Sequence, residues 1–194
     1  MNKSDKLKLS EFLETLHHLS RYTQIAYEHD IKLLLDYCNK NGISSWKNLD
    51  GRQVSAYISS RHRQGIGGKS LQRNLSAIRA FYRYLNKLGH TPNNPAQGIA
   101  TPKTEKKLPK TLDVDQTVQL VEIKDSNPLA IRDRAILELI YSSGLRLSEL
   151  VNLNLDGIDL SEALVTVTGK GKKIRKVPIG VKAIAALRNW LSIR

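Results

Sequence analysis

The chain has very few groups for covalent staples or metal cages. Cys38 is its only cysteine, which excludes a disulfide framework and a cysteine-based zinc site. All five histidines lie at or before His90, and none falls into a metal-ligand cluster. No metal and no other cofactor is therefore expected. No apolar run approaches the ~18 residues needed to cross a bilayer. The N-terminus, MNKSDKLKLSEF, lacks the apolar segment of a signal peptide. These absences set the expectation of a soluble cytoplasmic protein without a membrane partner. Aromatic residues make up only 6% of the chain.

Acidic residues are missing locally. Gly51 to His90 holds eight Lys/Arg and no Asp or Glu, and Ala163 to Arg194 holds eight more with no acid. The formal net charge is +13 over 194 residues, with a pI near 9.9. A clustered excess of this kind is the footprint of a polyanion, and two acid-free stretches suggest two surfaces facing one partner. The length allows one large domain or two small ones, either with a real core.

The first half reads as helices. A short leading helix covers Ser10 to Leu19. A longer one runs from a Thr23 cap to Lys40, with Tyr27, Ile31, Leu34, Leu35 and Cys38 at helical spacing and Gly42 at its end. Asp50 caps a third, with Val54, Tyr57 and Ile58 turned inward, and Gly65, Gly67 and Gly68 break the chain. From Lys69 to Leu88, Leu71, Leu75, Ile78, Phe81, Tyr82, Leu85 and Leu88 fall within an arc of ~140°. Lys69, Arg73, Arg79, Arg83 and Lys87 fill ~120° on the opposite side. A solvated face usually mixes signs, and five positives with no negative favour a DNA-binding stripe, with Lys69, Arg73, Arg79 and Arg83 as its contacts.

Pro92 and Pro95 close this half, and the aperiodic, basic Thr101–Lys110 reads as an exposed linker able to track a phosphate backbone. Beyond it, Asp113 caps a short helix to Ile123. Pro128 opens a longer one that is apolar nearly all round and expected to be largely buried, Tyr141 included, until Gly144 stops it. Arg146 to Leu153 makes another short helix. Leu164–Thr168 and Lys173–Pro178 alternate as strands around the turn Gly169-Lys170-Gly171, and Val181 to Trp190 is a last helix.

Two patterns are decoys. Gly67-Gly68-Lys69-Ser70 mimics the end of a phosphate-binding loop, but Arg63 stands where the first glycine belongs and no strand precedes it. His18-x-x-Arg21 lies in the first helical region.

The pair that carries weight is Gly-Leu-Arg-x-Ser-Glu-Leu, residues 144–150, with Gly-Lys-Gly-Lys-Lys placing Lys170 24 residues after Arg146. Within NPLAIRDRAILELIYSSGLRLSELVNLNLDGIDL and VTVTGKGKKIRKVPIG it resembles the tyrosine site-specific recombinases of the phage-integrase family. The bacterial Xer group is nearest, its XerC branch more than its XerD branch. The helical segment SLQRNLSAIRAFYRYL and the linker with LPKTLDVDQ extend the match over nearly the whole chain.

The resemblance implies a mainly α fold: a helical, SAM-like core-binding clamp over 1–100, a linker over 101–110, and an incomplete α+β catalytic domain with a small antiparallel sheet over 111–194. It implies phosphoryl transfer on double-stranded DNA, without metal or nucleotide. Arginine suits such a transition state, because it stays charged and donates in a planar fork. Arg146 sits at a rigid junction after Gly144, and Glu149 is spaced to orient it. Lys170, between glycines that allow close approach, is implied as the general acid that protonates the leaving oxygen. Lys172, Lys173, Arg175 and Lys176 either contact phosphates or stay solvated; Lys172 and Arg175 are taken as DNA contacts. The family also uses a His-x-x-Arg pair, a further His or Trp, and a tyrosine nucleophile. No histidine follows His90 and no tyrosine follows Tyr141, so the sequence reads as truncated and inactive alone. The Xer resemblance further implies a second, XerD-like recombinase and a DNA translocase as partners, in chromosome dimer resolution at cell division. A mobile-element integrase and a non-catalytic DNA-binding protein are the alternatives.

Overall fold

The computed structural model describes residues 1–101, 108, 110–169, 171 and 173–194. It divides into two compact units, Met1–Lys107 and Leu108–Arg194. No helix among the described residues is long and apolar enough to cross a membrane.

The first unit is helical. It contains α1 (Lys3–Glu14), α2 (Arg21–Lys40), α3 (Gly51–Arg63) and α4 (Gly68–Lys87). The leading helix starts earlier than its apolar spacing suggests, because the Asn2 side chain accepts from the Asp5 backbone N–H at 2.8 Å. It gives way at Thr15–His18 to a tighter turn. Ser20, not Thr23, caps α2: its Oγ accepts from Thr23 N, and Thr23 sits one turn inside. Asp50 and Gln53 form a reciprocal cap on α3. Gly67 caps α4 directly after α3, so the Gly67–Ser70 run opens a helix that no strand precedes.

The apolar arc of α4 forms the floor of this unit's core. Leu71, Leu75, Ile78, Phe81, Tyr82 and Leu85 are buried against Ile31, Leu34 and Cys38 of α2 and Val54, Tyr57 and Ile58 of α3. Leu88, placed on the same arc, is half exposed because the helix has ended at Lys87. Trp46 is the central wedge. Its ring meets Phe81 edge-on at 5.0 Å, its Nε1 donates to Asp5 O at 3.0 Å, and its carbonyl accepts from Tyr82 Oη at 2.9 Å. Both polar tips of these large rings therefore have partners, as burial requires. Burial pushes the Cys38 thiol up to about 12, so the lone cysteine is an inert core residue.

The second unit contains α5 (Val114–Val121), α6 (Pro128–Ser143), α7 (Leu147–Val151), α8 (Val181–Ile193) and three strands. The strands are β1 (Ile158–Asp159), β2 (Leu164–Thr168) and β3 (Ile174–Pro178), antiparallel in the order β1-β2-β3. The short β1 carries no alternation that its sequence could reveal. Val165 pairs with Val177 and Val167 with Arg175, so these four share one face of the sheet. Val165 and Val167 bury that face against Ala135 and Leu139 of α6, and Ala183 and Leu187 of α8. Asn127 caps α6, Pro128 occupies its first turn, and Gly144 ends it with φ +57. The left-handed conformation there is what makes glycine the fitting residue.

One expectation for this unit is corrected. The helix α6 is not buried all round: it buries the stripe facing α8 and the sheet, and leaves Leu129 and Tyr141 each 62% exposed. Apolar composition names a helix that can be covered on several sides, and among the described residues only one side is covered. Tyr141 is thus a surface residue rather than a core residue.

Candidate nucleic-acid interface and phosphate site

The α4 stripe divides into two kinds of cation. Lys69, Arg83 and Lys87 are exposed and have no hydrogen-bond or ion-pair partner among the described residues. Arg73 instead reaches Asp30 of α2, donating from Nε at 2.8 Å and from Nη2 at 3.1 Å. The Asp30 carboxylate is only 2% exposed, so its oxygens need fixed donors in place of water. The same bonds raise the pKa of Arg73, against a smaller opposing effect of burial. Asn74 follows in the network and donates to Tyr57 Oη at 3.1 Å.

Arg79 is also taken up internally. It donates from Nε to Ala96 O at 3.0 Å and from Nη2 to Ile99 O at 2.7 Å, while Asn94 Nδ2 donates back to Arg79 O. The segment after Pro92 is thereby tied to α4. Arg73 and Arg79 each give two of five N–H donors to intramolecular partners, so both are fixed in place and a structural role stands beside the phosphate contact expected of them. Helical periodicity reports a face but cannot see an acid on a neighbouring helix or a carbonyl after a turn.

In the second unit the candidate residues converge on Glu149. It lies in α7, and its side chain is 1% exposed. Its Oε2 accepts from the Arg146 backbone N–H at 2.9 Å, and its Oε1 from Arg146 Nη1 at 3.0 Å. Arg175, from β3, donates Nη2 to Oε2 at 2.9 Å. Arg146 remains 66% exposed and Arg175 42% exposed, so both guanidinium groups are held from beneath and open above. Gly169 completes the arrangement: a Cβ there would sit 3.3 Å from Glu149 Oε1. The missing side chain lets the turn between β2 and β3 approach the carboxylate. Lys170 and Lys172, the two turn lysines picked out from the sequence, lie outside the described residues; their neighbours Gly169 and Gly171 are described.

The Arg146 backbone N–H, then its guanidinium and the charge of Arg175, hold the Glu149 carboxyl below its ordinary 4.5 against the effect of burial. A depressed carboxylate contributes stability above its unfolded pKa and loses it as pH falls through the folded value. The stability advantage of the wild type over Glu149→Gln should thus be full at pH 6–7, begin to fall near the ordinary 4.5 and be lost as pH drops through the lower folded value. Thermal melts of both proteins across pH 3–7 check this, and a difference that grows toward low pH would contradict it.

Sequence reasoning found Arg146 and Glu149 by their spacing. It missed that Arg175 shares the carboxylate. The signal was present in the strand: Arg175 alternates in phase with Val177, so it shares the inward face and meets whatever closes that face. It also missed the Asp30–Arg73 pair, whose signal is an acid set directly beside the buried Ile31.

Comparison with known proteins bears on this geometry. The N-terminal SAM-like domain of phage integrases matches residues 9–89, and the phage integrase family itself matches residues 110–194. The chain belongs to the phage-integrase family of tyrosine recombinases. It is 48% identical over 184 residues to the tyrosine recombinase XerC of Pseudomonas syringae pv. tomato, covering 94% of this chain and 61% of that protein. It is 48% identical over 179 residues to XerC of Xylella fastidiosa, covering 92% of this chain and 61% of that one. The chain thus spans about three-fifths of the length of these relatives. Among solved structures, the fold is similar to the XerH site-specific recombinase bound to palindromic difH substrate, with TM-score 0.69 and 21% identity over 87% of this chain and 52% of that one. It is also similar to the Tn1549 transposon integrase in complex with a circular intermediate DNA, with TM-score 0.76 and 13% identity over 96% of this chain and 65% of that one.

Proposed function

We propose that residues 1–194 are the DNA-clamping and phosphate-holding part of a Xer-type site-specific recombinase. The observation that carries this reading is the Glu149-fixed Arg146, exposed at its tip, in a chain close to half identical to XerC proteins. Arg146 would neutralise charge developing on the non-bridging oxygens of a DNA phosphodiester. Lys170 would donate a proton to the departing 5′ oxygen. The two act on a phosphate that a tyrosine attacks in this family, and residues 142–194 contain no tyrosine. Lys69 and Arg83 on α4, with Lys172 and Arg175 in the second unit, would hold the flanking duplex. The partners under this reading are a second, XerD-like recombinase and a DNA translocase, and the role is resolution of chromosome dimers at cell division.

A genome-wide footprint of the tagged chain in its own cells tests the assignment. A Xer role predicts one dominant chromosomal site, occupied in every replicating cell. Occupancy at the ends of a mobile element would replace it with the integrase reading, and uniform occupancy would reject site-specific recombination.

A further inference from the structure

Four acidic residues are buried among the described residues: Asp5, Asp30, Glu138 and Glu149. Three of them accept side-chain hydrogen bonds: Asp5 from Ser45 Oγ at 3.3 Å, Asp30 from Arg73, and Glu149 from Arg146 and Arg175. Glu138, on α6 and only 5% exposed, has no hydrogen-bond or ion-pair partner among the described residues. A buried carboxylate without a donor is costly, so an incoming donor has something to gain there.

Glu138 faces a cleft of about 250 Å³ along the seam between α6 and α8. Ile131, Arg134 and Glu138 recur at helical spacing on one wall, and Lys182, Ala185 and Ala186 form the other. The two alanines leave open the space that longer side chains would fill. Glu122, just past the end of α5, adds a second carboxylate. Arg134 stands one turn before Glu138 yet makes no ion pair with it, and arginine before glutamate is the weaker order for such a pair. Arg134 and Lys182 are both exposed and without a bonding partner among the described residues.

The ligand that fits is a lysine side chain presented by another protein. An apolar cavity of roughly 150 Å³ already takes a benzene, so this cleft has room for one long side chain. The aliphatic stem would lie along Ile131, Ala185 and Ala186. The compact ammonium has three donors and can serve carboxylates from two elements at once. The free cations Arg134 and Lys182 disfavour an unbroken basic run and favour an acidic residue beside that lysine. We propose that the α6–α8 cleft is a docking site for a protein segment that carries a lysine next to an acid, with Glu138 taking the ammonium. Arg146, Glu149 and Arg175 do not line this cleft, and the inference is independent of the recombinase reading.

The test titrates the 194-residue chain, labelled with 13C-methyl alanine, with the capped dipeptide acetyl-glutamyl-lysine methylamide at constant ionic strength. The Ala185 and Ala186 methyl signals should move saturably while Ala77, in the helical unit, stays still. The same peptide with norleucine for lysine, which keeps the stem and drops the ammonium, should move neither. Glu138→Gln should raise the dissociation constant on the order of tenfold with the buried Ala183 methyl unshifted. Ala186→Leu, which fills the cleft and keeps the carboxylate, should abolish binding. Equal binding of the norleucine peptide, or an unchanged constant in Glu138→Gln, would overturn the proposal and leave a plain apolar cleft. No response to the lysine peptide would also overturn it and leave Glu138 to water or Arg134. Shifts of Ala185 and Ala186 that grow with protein concentration alone would make a second copy the occupant and overturn the assignment to another protein.

Discussion

Arg73→Ala should destabilise the helical unit by about 3 kcal/mol, near the lower end for breaking a buried pair, because Arg73 itself is half exposed. For a unit of this size, that lowers the melting temperature by roughly 10–20 °C. The cause is the carboxylate left behind. Asp30 is buried, its two good bonds come from Arg73, and Asn74 reaches it only at 3.5 Å. Adding Asp30→Asn to Arg73→Ala removes the stranded charge and should recover much of the loss, a non-additivity that a double-mutant cycle reads directly. Any fall in DNA affinity of Arg73→Ala should follow its unfolding. A variant that melts within a few degrees of wild type yet binds DNA poorly would show that Arg73 acts as a phosphate contact rather than as the partner of Asp30.

The second large effect is on binding. Lys69→Ala combined with Arg83→Ala should leave the melting temperature nearly unchanged, since neither side chain has a partner among the described residues. With about 0.9 in salt slope lost per phosphate contact, the pair should flatten log K against log salt by about 1.8 and weaken binding on the order of 50-fold at 0.1 M salt. Filter-binding titrations between 0.05 and 0.3 M salt measure both quantities. An unchanged slope would mean that these two lysine and arginine positions face solvent in the complex.

The contrast between those two experiments shows where sequence reading stops. The apolar arc of α4 was legible because its seven positions repeat with the helical period, and six of them are buried. The basic arc was equally legible as a stripe, but stripe membership did not separate Lys69 and Arg83 from Arg73 and Arg79. That separation depends on Asp30, 43 residues away in the chain, and on carbonyls of Ala96 and Ile99. In the second unit, the spacing of Arg146 and Glu149 identified a local pair on its own. For the third member, Arg175, strand alternation with Val177 gives the face, while its meeting with Glu149 depends on how β3 and α7 pack, which no local pattern specifies. Tyr141 shows the opposite failure: composition suggested a core, but exposure depends on which neighbours are there to cover the helix.

Tyr141 is exposed, so burial does not exclude it as a nucleophile; its chemistry does. Its hydroxyl bonds no base or cation among the described residues, and an unactivated phenol is a weak nucleophile. Residues 1–194 should bind DNA and hold a phosphate without themselves attacking it. A nicked suicide duplex, incubated with the 194-residue chain and resolved on both native and denaturing gels, separates binding from attack. A retarded complex is expected on the native gel, with no protein–DNA band under denaturing conditions. A protease-sensitive denaturing band, above all one abolished by Tyr141→Phe, would show instead that a residue of this chain is the nucleophile.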